Sequence, residues 1–122
     1  MAAVIRKHGK LNILVNNAGV IVCKPLAKII LDEWNWLMDI NCIGVFLGTK
    51  YAIEAMRNNG ERCSIINRSS IAAMVGFGGM EAYGASKGAV RAFTKGVALS
   101  CTAARYILFG LILCILVKFA RQ

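Results

Sequence analysis

The chain has 122 residues, 57% of them apolar, with a formal charge of +9 and a mean hydropathy of +0.58. That length holds one domain, and small domains bury a smaller share of their surface than large ones, so this much apolar material calls for a partner, further segments or a membrane to cover it. The charge does not define a nucleic-acid protein, because the fifteen Lys and Arg are scattered, only Arg6-Lys7-His8-Gly9-Lys10 gathers them, and no DNA- or RNA-binding motif goes with them.

Ile13 to Asn16 is a short apolar run ending in Asn-Asn-Ala-Gly, the pattern of a strand buried on both faces that stops in a turn; as residues alone, Asn16 to Gly19 are simply a turn. Leu31-Asp32-Glu33-Trp34 opens a long helix, with Asp32 as expected N-cap and acidic residues at its positive end. Trp34, Leu37, Met38, Cys42, Val45, Phe46, Thr49, Ile53 and Met56 recur at steps of three and four, one apolar stripe for core or interface, and Asn58-Asn59-Gly60 closes it. Asn41 lies inside that helix, where asparagine competes for backbone hydrogen bonds, so it reads either as a solvated or capping residue or as a local distortion.

Cys63 to Asn67 is Ile-rich and predicts a second parallel strand, leaving Ser69 and Ser70 at its exit. Gly76-Phe77-Gly78-Gly79 reads as a loop, and Glu81 to Thr102 as the second long helix. Its first turns hold Tyr83-Gly84-Ala85-Ser86-Lys87. Residues at i and i+4 share a helix face, so the Lys87 charge acts on the Tyr83 oxygen and favours phenolate, which makes proton exchange feasible at neutral pH. The plainer alternative is a core tyrosine beside a solvated lysine.

Leu11-Asn12-Ile13-Leu14-Val15 leading into Asn16-Asn17-Ala18-Gly19, Asp39-Ile40-Asn41, and Ser64 to Ser70, with Ser70 thirteen residues before Tyr83, resemble, in order and spacing, the classical short-chain dehydrogenase/reductase family over residues 6 to 105. The resemblance implies an α/β fold, a truncated Rossmann-type doubly wound parallel sheet, as a single partial domain over residues 1 to 122. It implies oxidation or reduction of a small-molecule alcohol or carbonyl with NAD or NADP. Asn41 would order a proton-relay water, Ser70 hold the substrate oxygen, Tyr83 exchange the proton, and Lys87 lower the phenol pKa and bind the nicotinamide ribose. Asn17, Ala18 and Gly19 would line the cofactor cleft. It also implies a homo-oligomer formed through helices 34 to 58 and 82 to 102.

The family's TGxxxGxG turn, which cradles the pyrophosphate at a helix N-terminus, has no counterpart in these residues. A catalytically inactive interaction module that keeps the helix interface is therefore the second reading. Arg68 stands where the family has an apolar residue, and pointing inward it would bury a cation beside the site. After Arg105 the resemblance is expected to stop, leaving 106 to 122 as a divergent apolar tail. Its uncharged run from Ile107 to Val117 is shorter than the ~18 to 20 residues that span a bilayer, so a buried strand or core helix is expected over a membrane anchor.

Cys23, Cys42, Cys63, Cys101 and Cys114 form no CxxC pair and no His spacing for zinc, so no metal is expected. An odd number of thiols in apolar surroundings points to a reducing compartment, and Ala2 to Ile5 is too short for a signal-peptide core, so the cytoplasm is expected.

Overall fold

The computed structural model describes residues 1 to 57, 59, 60, 62 to 101 and, as backbone, 106 to 111. Strands β1 (Ile13–Asn16), β2 (Cys63–Arg68) and β3 (Tyr106–Leu111) form a three-stranded parallel sheet in the order β1-β2-β3. Ile13 pairs with Ser64 and Asn16 with Asn67, while Cys63 pairs with Tyr106 and Arg68 with Leu111. Parallel strands need helical crossovers. Here α3 (Gly44–Met56) lies within the first and α4 (Glu81–Ser100) within the second, and both helices pack on the sheet.

β1 is not the strand buried on both faces that its apolar run predicts. Its side chains alternate: Ile13 is 63% and Val15 53% exposed, while Leu14 packs on the core of Ala52, Met56, Cys63 and Ile65. β2 alternates in phase with it, burying Cys63, Ile65 and Asn67 against the helices and leaving Ser64, Ile66 and Arg68 half-buried on the other side. A doubly wound sheet carries helices on both faces; the described residues supply one layer, and that is why β1 has a bare side.

The predicted helix over 34 to 58 is three elements. After the short helix α1 (Ala2–His8), which lies ahead of β1, α2 spans Leu31–Met38, a π-helical turn spans Asp39–Ile43, and α3 follows without a break. Asp32 is not the N-cap; Ile30 is, and the Glu33 carboxylate accepts its backbone N–H at 3.2 Å. A carboxylate three residues into the helix satisfies the free donor, so the cap position itself needs no polar side chain. The close of α3 falls at Arg57; Asn58 lies outside the described residues, and Gly60 adopts φ 69°, the left-handed conformation glycine allows. Asn59 reaches back to the Leu11 carbonyl at 2.6 Å and ties this end to the entry of β1.

α4 ends at Ser100, short of the predicted Thr102, which lies outside the described residues. Gly76 to Gly79 is loop, as its composition predicts, and Gly79 at φ 76° turns the chain so that its carbonyl receives the Lys24 N–H at 2.9 Å. The tail is not wholly apart from the fold: residues 106 to 111 form β3, in register with β2. Strand addition uses backbone hydrogen bonds, which a changed but apolar sequence still provides. The rest of the run, 112 to 117, lies outside the described residues. No helix among the described residues is long and apolar enough to cross a membrane.

A buried polar network joins sheet to helices. The Asn16 amide donates to the Asn67 carbonyl oxygen at 2.8 Å and to the Thr49 hydroxyl at 3.2 Å, and the Asn67 amide donates to the Thr94 hydroxyl at 3.0 Å. Thr94 passes its own proton to the Val90 carbonyl at 2.7 Å. One connected set of side chains thus fixes α3 and α4 to the strand ends that carry the site, and satisfied networks of this kind define a single packing.

Candidate active site

The first turns of α4 place Tyr83 and Lys87 on one face, as their spacing requires. Lys87 is not solvated: it is 3% exposed, with Nζ 5.8 Å from the centroid of the Tyr83 ring and 3.1 Å from the Arg68 carbonyl oxygen, to which it donates. Burial pushes its pKa below the usual lysine value, the nearby Arg68 charge pushes the same way, and the Cys42 thiol opposes them. Burial holds the Cys42 thiol above its ordinary value, against the pull of Lys87.

Asn41 is fully buried within the π-helical turn. Its Oδ1 accepts the Val20 N–H at 2.8 Å, and its Nδ2 donates to the Val20 carbonyl and to the Ser86 hydroxyl, each at 2.9 Å. Ser86 in turn donates to the Tyr83 carbonyl at 2.8 Å. The side chain therefore clamps the loop after β1 onto the turn of α4 that carries the tyrosine. A π-turn breaks the regular i→i−4 ladder and recurs at functional sites, and here it is the distortion that asparagine inside the helix pointed to.

Gly19 lies between these groups. A β-carbon there would stand 3.1 Å from Lys87 Nζ and 3.2 Å from Asn41 Oδ1, so the absence of a side chain keeps the ammonium reachable. Ser69 and Ser70, at the carboxyl end of β2, divide the work. Ser69 donates to the Lys87 carbonyl at 2.9 Å, while Ser70 Oγ accepts the Ala72 N–H at 3.2 Å and starts the short 3-10 turn Ile71–Ala73. With one lone pair so occupied, the Ser70 hydroxyl keeps its proton for another acceptor.

Asn17 and Ala18 are exposed at the end of β1. Arg68 does not bury its cation. It stays half-buried on the open face of the sheet and donates from Nη1 to Asn17 Oδ1 at 2.6 Å, because alternation along β2 turns its side chain away from Asn67 and the helices. The structure thus gathers Asn41, Gly19, Tyr83 and Lys87 around one point, sets Ser70 two residues beyond the carbonyl that holds Lys87, and leaves Asn17 and Ala18 on the rim. Ser69, named in the sequence only as a strand-exit hydroxyl, joins the arrangement through the Lys87 carbonyl, and Ser86 and the Val20 backbone join it through Asn41. These contacts depend on the fold, and no local signal pointed to them.

A parallel sheet with a buried lysine, a tyrosine, a serine and a clamped asparagine gathered beside its strand ends is the arrangement of an open α/β domain, in which ligands sit beyond those ends. The chain matches the short chain dehydrogenase family model over residues 1–118 and belongs to that family. The match continues past Arg105, where the sequence resemblance was expected to end, and takes in β3. Among its relatives are an NADP-dependent (R)-specific alcohol dehydrogenase of Lentilactobacillus kefiri, 45% identical over 80% of this chain and 39% of the relative, and a 3-beta-hydroxysteroid dehydrogenase of Comamonas testosteroni, 42% identical over 83% and 39%. The structure of a Burkholderia phymatum short chain dehydrogenase/reductase in complex with NAD superposes with a TM-score of 0.85 at 29% identity, covering 93% of this chain and 40% of that one. The chain thus spans about 39% of the length of the curated relatives it matches.

Proposed function

We propose that this chain provides the catalytic half of an NAD- or NADP-dependent oxidoreductase that interconverts a small alcohol and its carbonyl. The observation that carries this reading is the burial of Lys87 beneath Tyr83, with the lysine donating to the Arg68 carbonyl. An ammonium has three donors and one is used so among the described residues, which leaves donors for ribose hydroxyls, and Gly19 leaves the approach open. The residues fit the nicotinamide and ribose end of a dinucleotide, with Asn17, Ala18 and Gly19 along the same cleft. When bound, the nicotinamide supplies the hydride acceptor or donor.

The protein's own part is proton handling and aim. Tyr83 takes the hydroxyl proton of the alcohol, or returns it to the carbonyl oxygen, with the Lys87 ammonium 5.8 Å from the centroid of its ring. Ser70 donates its free proton to the same substrate oxygen. Asn41 holds the loop and α4 in the register that brings these groups together, and its place in the π-turn frees backbone carbonyl capacity for a water leading to Lys87.

The outer faces of α3 and α4 support a homo-oligomer. Phe46 and Phe93 meet edge to face at 6.1 Å beside a groove of about 210 Å³ between these helices, and Ile43, Phe46, Leu47 and Tyr51 are exposed. The same surface favours, as second reading, a non-catalytic interface module.

Titration with NADH and NADPH, followed by tryptophan fluorescence, separates the two. The enzyme reading expects saturable binding that survives Tyr83→Phe while alcohol oxidation is lost. No binding at millimolar dinucleotide refutes it.

A further inference from the structure

Two cations meet at the carboxyl end of the sheet. Lys87 Nζ and the Arg68 guanidinium are linked through the Arg68 residue itself, whose carbonyl receives the lysine while its side chain reaches Asn17. Among the described residues neither cation pairs with a carboxylate; the ion pair found there joins Lys24 to Glu33. Among the described residues this half-buried guanidinium donates to one neutral amide, which leaves most of its five donors unspent. Placing like charges together costs stability; Lys87 is held below its ordinary value first by burial and then by the Arg68 charge. A ligand that brings negative charge removes that cost.

We infer that Arg68 and Asn17 form an anion subsite that takes phosphate oxygens of the dinucleotide's diphosphate. Three observations on the same edge support it. Ligands of open parallel sheets bind beyond the carboxyl ends of the strands, and Arg68 is the last residue of β2 while Asn17 follows the last residue of β1. The planar fork of a guanidinium matches phosphate oxygens in pairs. Asn17 Oδ1 holds Nη1 at 2.6 Å, which orients the fork over the gap between the two strands and leaves the asparagine amide as a further donor. The subsite supplies charge to the same group that a glycine-rich turn at a helix N-terminus holds through backbone N–H groups.

This inference rests on the dinucleotide reading of the cleft, and the experiment keeps the two apart. Inorganic pyrophosphate and nicotinamide riboside are titrated by calorimetry into the wild-type chain, Arg68→Ile and Arg68→Lys, with far-ultraviolet circular dichroism as the folding check. Arg68→Ile is expected to weaken pyrophosphate by at least about tenfold and to leave nicotinamide riboside unchanged, and Arg68→Lys to keep part of the pyrophosphate affinity. Equal pyrophosphate affinity in wild type and Arg68→Ile overturns the subsite, as does the absence of pyrophosphate binding to the wild type. Loss of both ligands in a folded Arg68→Ile also overturns it, since Arg68 then acts on the cleft as a whole. Should acetate outcompete pyrophosphate at Arg68, the anion is a substrate carboxylate and the assignment to the cofactor fails. Absence of nicotinamide riboside binding with an intact Arg68 effect on pyrophosphate would sink the dinucleotide reading while leaving the anion site standing.

Discussion

The Asn41 side chain bonds the backbone of Val20 in both directions, accepting its N–H at 2.8 Å and donating to its carbonyl at 2.9 Å, as a neighbouring strand would. Replacing it removes both bonds and the one to Ser86. Asn41→Ala is expected to cost roughly 2–4 kcal/mol in urea unfolding, since each buried group left without a partner costs about 1–3 kcal/mol. Asn41→Asp keeps the acceptor but sets a carboxylate oxygen against the Val20 carbonyl in a fully buried position, and should cost at least as much. A loss below about 0.5 kcal/mol for the alanine variant would show that the clamp holds little.

Gly48 sits in the interior of α3, where alanine usually stabilises by about 0.5–1 kcal/mol. Here the added methyl would overlap the Asn16 amide, which its bonds to Thr49 and Asn67 prevent from moving aside. Overpacking costs about 1–3 kcal/mol, so the net for Gly48→Ala should be a destabilisation of about 1–2 kcal/mol. A higher midpoint in thermal unfolding would contradict this.

Lys87 titrates lower folded than unfolded, first because it is buried and then because Arg68 repels it. Between the lowered value and the ordinary lysine value near 10.5 the unfolded chain binds more protons, so this group makes stability rise with pH across that window. Below the window the buried charge persists and the gain is absent. The stability of wild type minus that of Lys87→Met should therefore climb as pH rises through the alkaline range, measured by urea unfolding at successive pH values. A flat difference would mean that the lysine is solvated.

Thiol accessibility gives an independent check on the packing. Cys23 is exposed, Cys42 half-buried and Cys63 buried. Iodoacetamide under native conditions should alkylate Cys23 first and Cys63 last, read by peptide mass spectrometry. Early labelling of Cys63 would place the interface of β2 with α3 in solvent.

Tyr83 and Lys87 were legible because four residues is one helical turn, a relationship that sequence carries directly. The two strand cores and α4 were legible for similar local reasons. Asn16, Thr49, Asn67 and Thr94 were not: each is an unremarkable polar residue, and separations of 33, 51 and 27 positions become contacts only in the folded chain. The expected cap at Asp32 failed because Glu33 satisfies the Ile30 N–H instead. β1 looked buried on both sides because its four residues suit a sheet with two helical layers, and the described residues contain one. Arg68 looked like a buried cation until the alternation of β2 fixed its side.

The π-turn had a trace of its own. Leu37, Asn41, Val45 and Thr49 are all buried and follow one another at steps of four. In a regular α-helix each such step drifts by about 40°, so the series would wander off the core.

The widened turn at Asp39–Ile43 takes up that drift by holding one residue more than a regular turn would. An in-frame loss of a single codon there would therefore let the segment relax into ordinary helix while Val45 and Thr49 keep facing the strands. The same loss within α3 has no widened turn to cancel it and would swing every residue beyond it about 100° around the axis. Miscounting by one residue should wound this protein more deeply in the regular helix than in the bulge beside it.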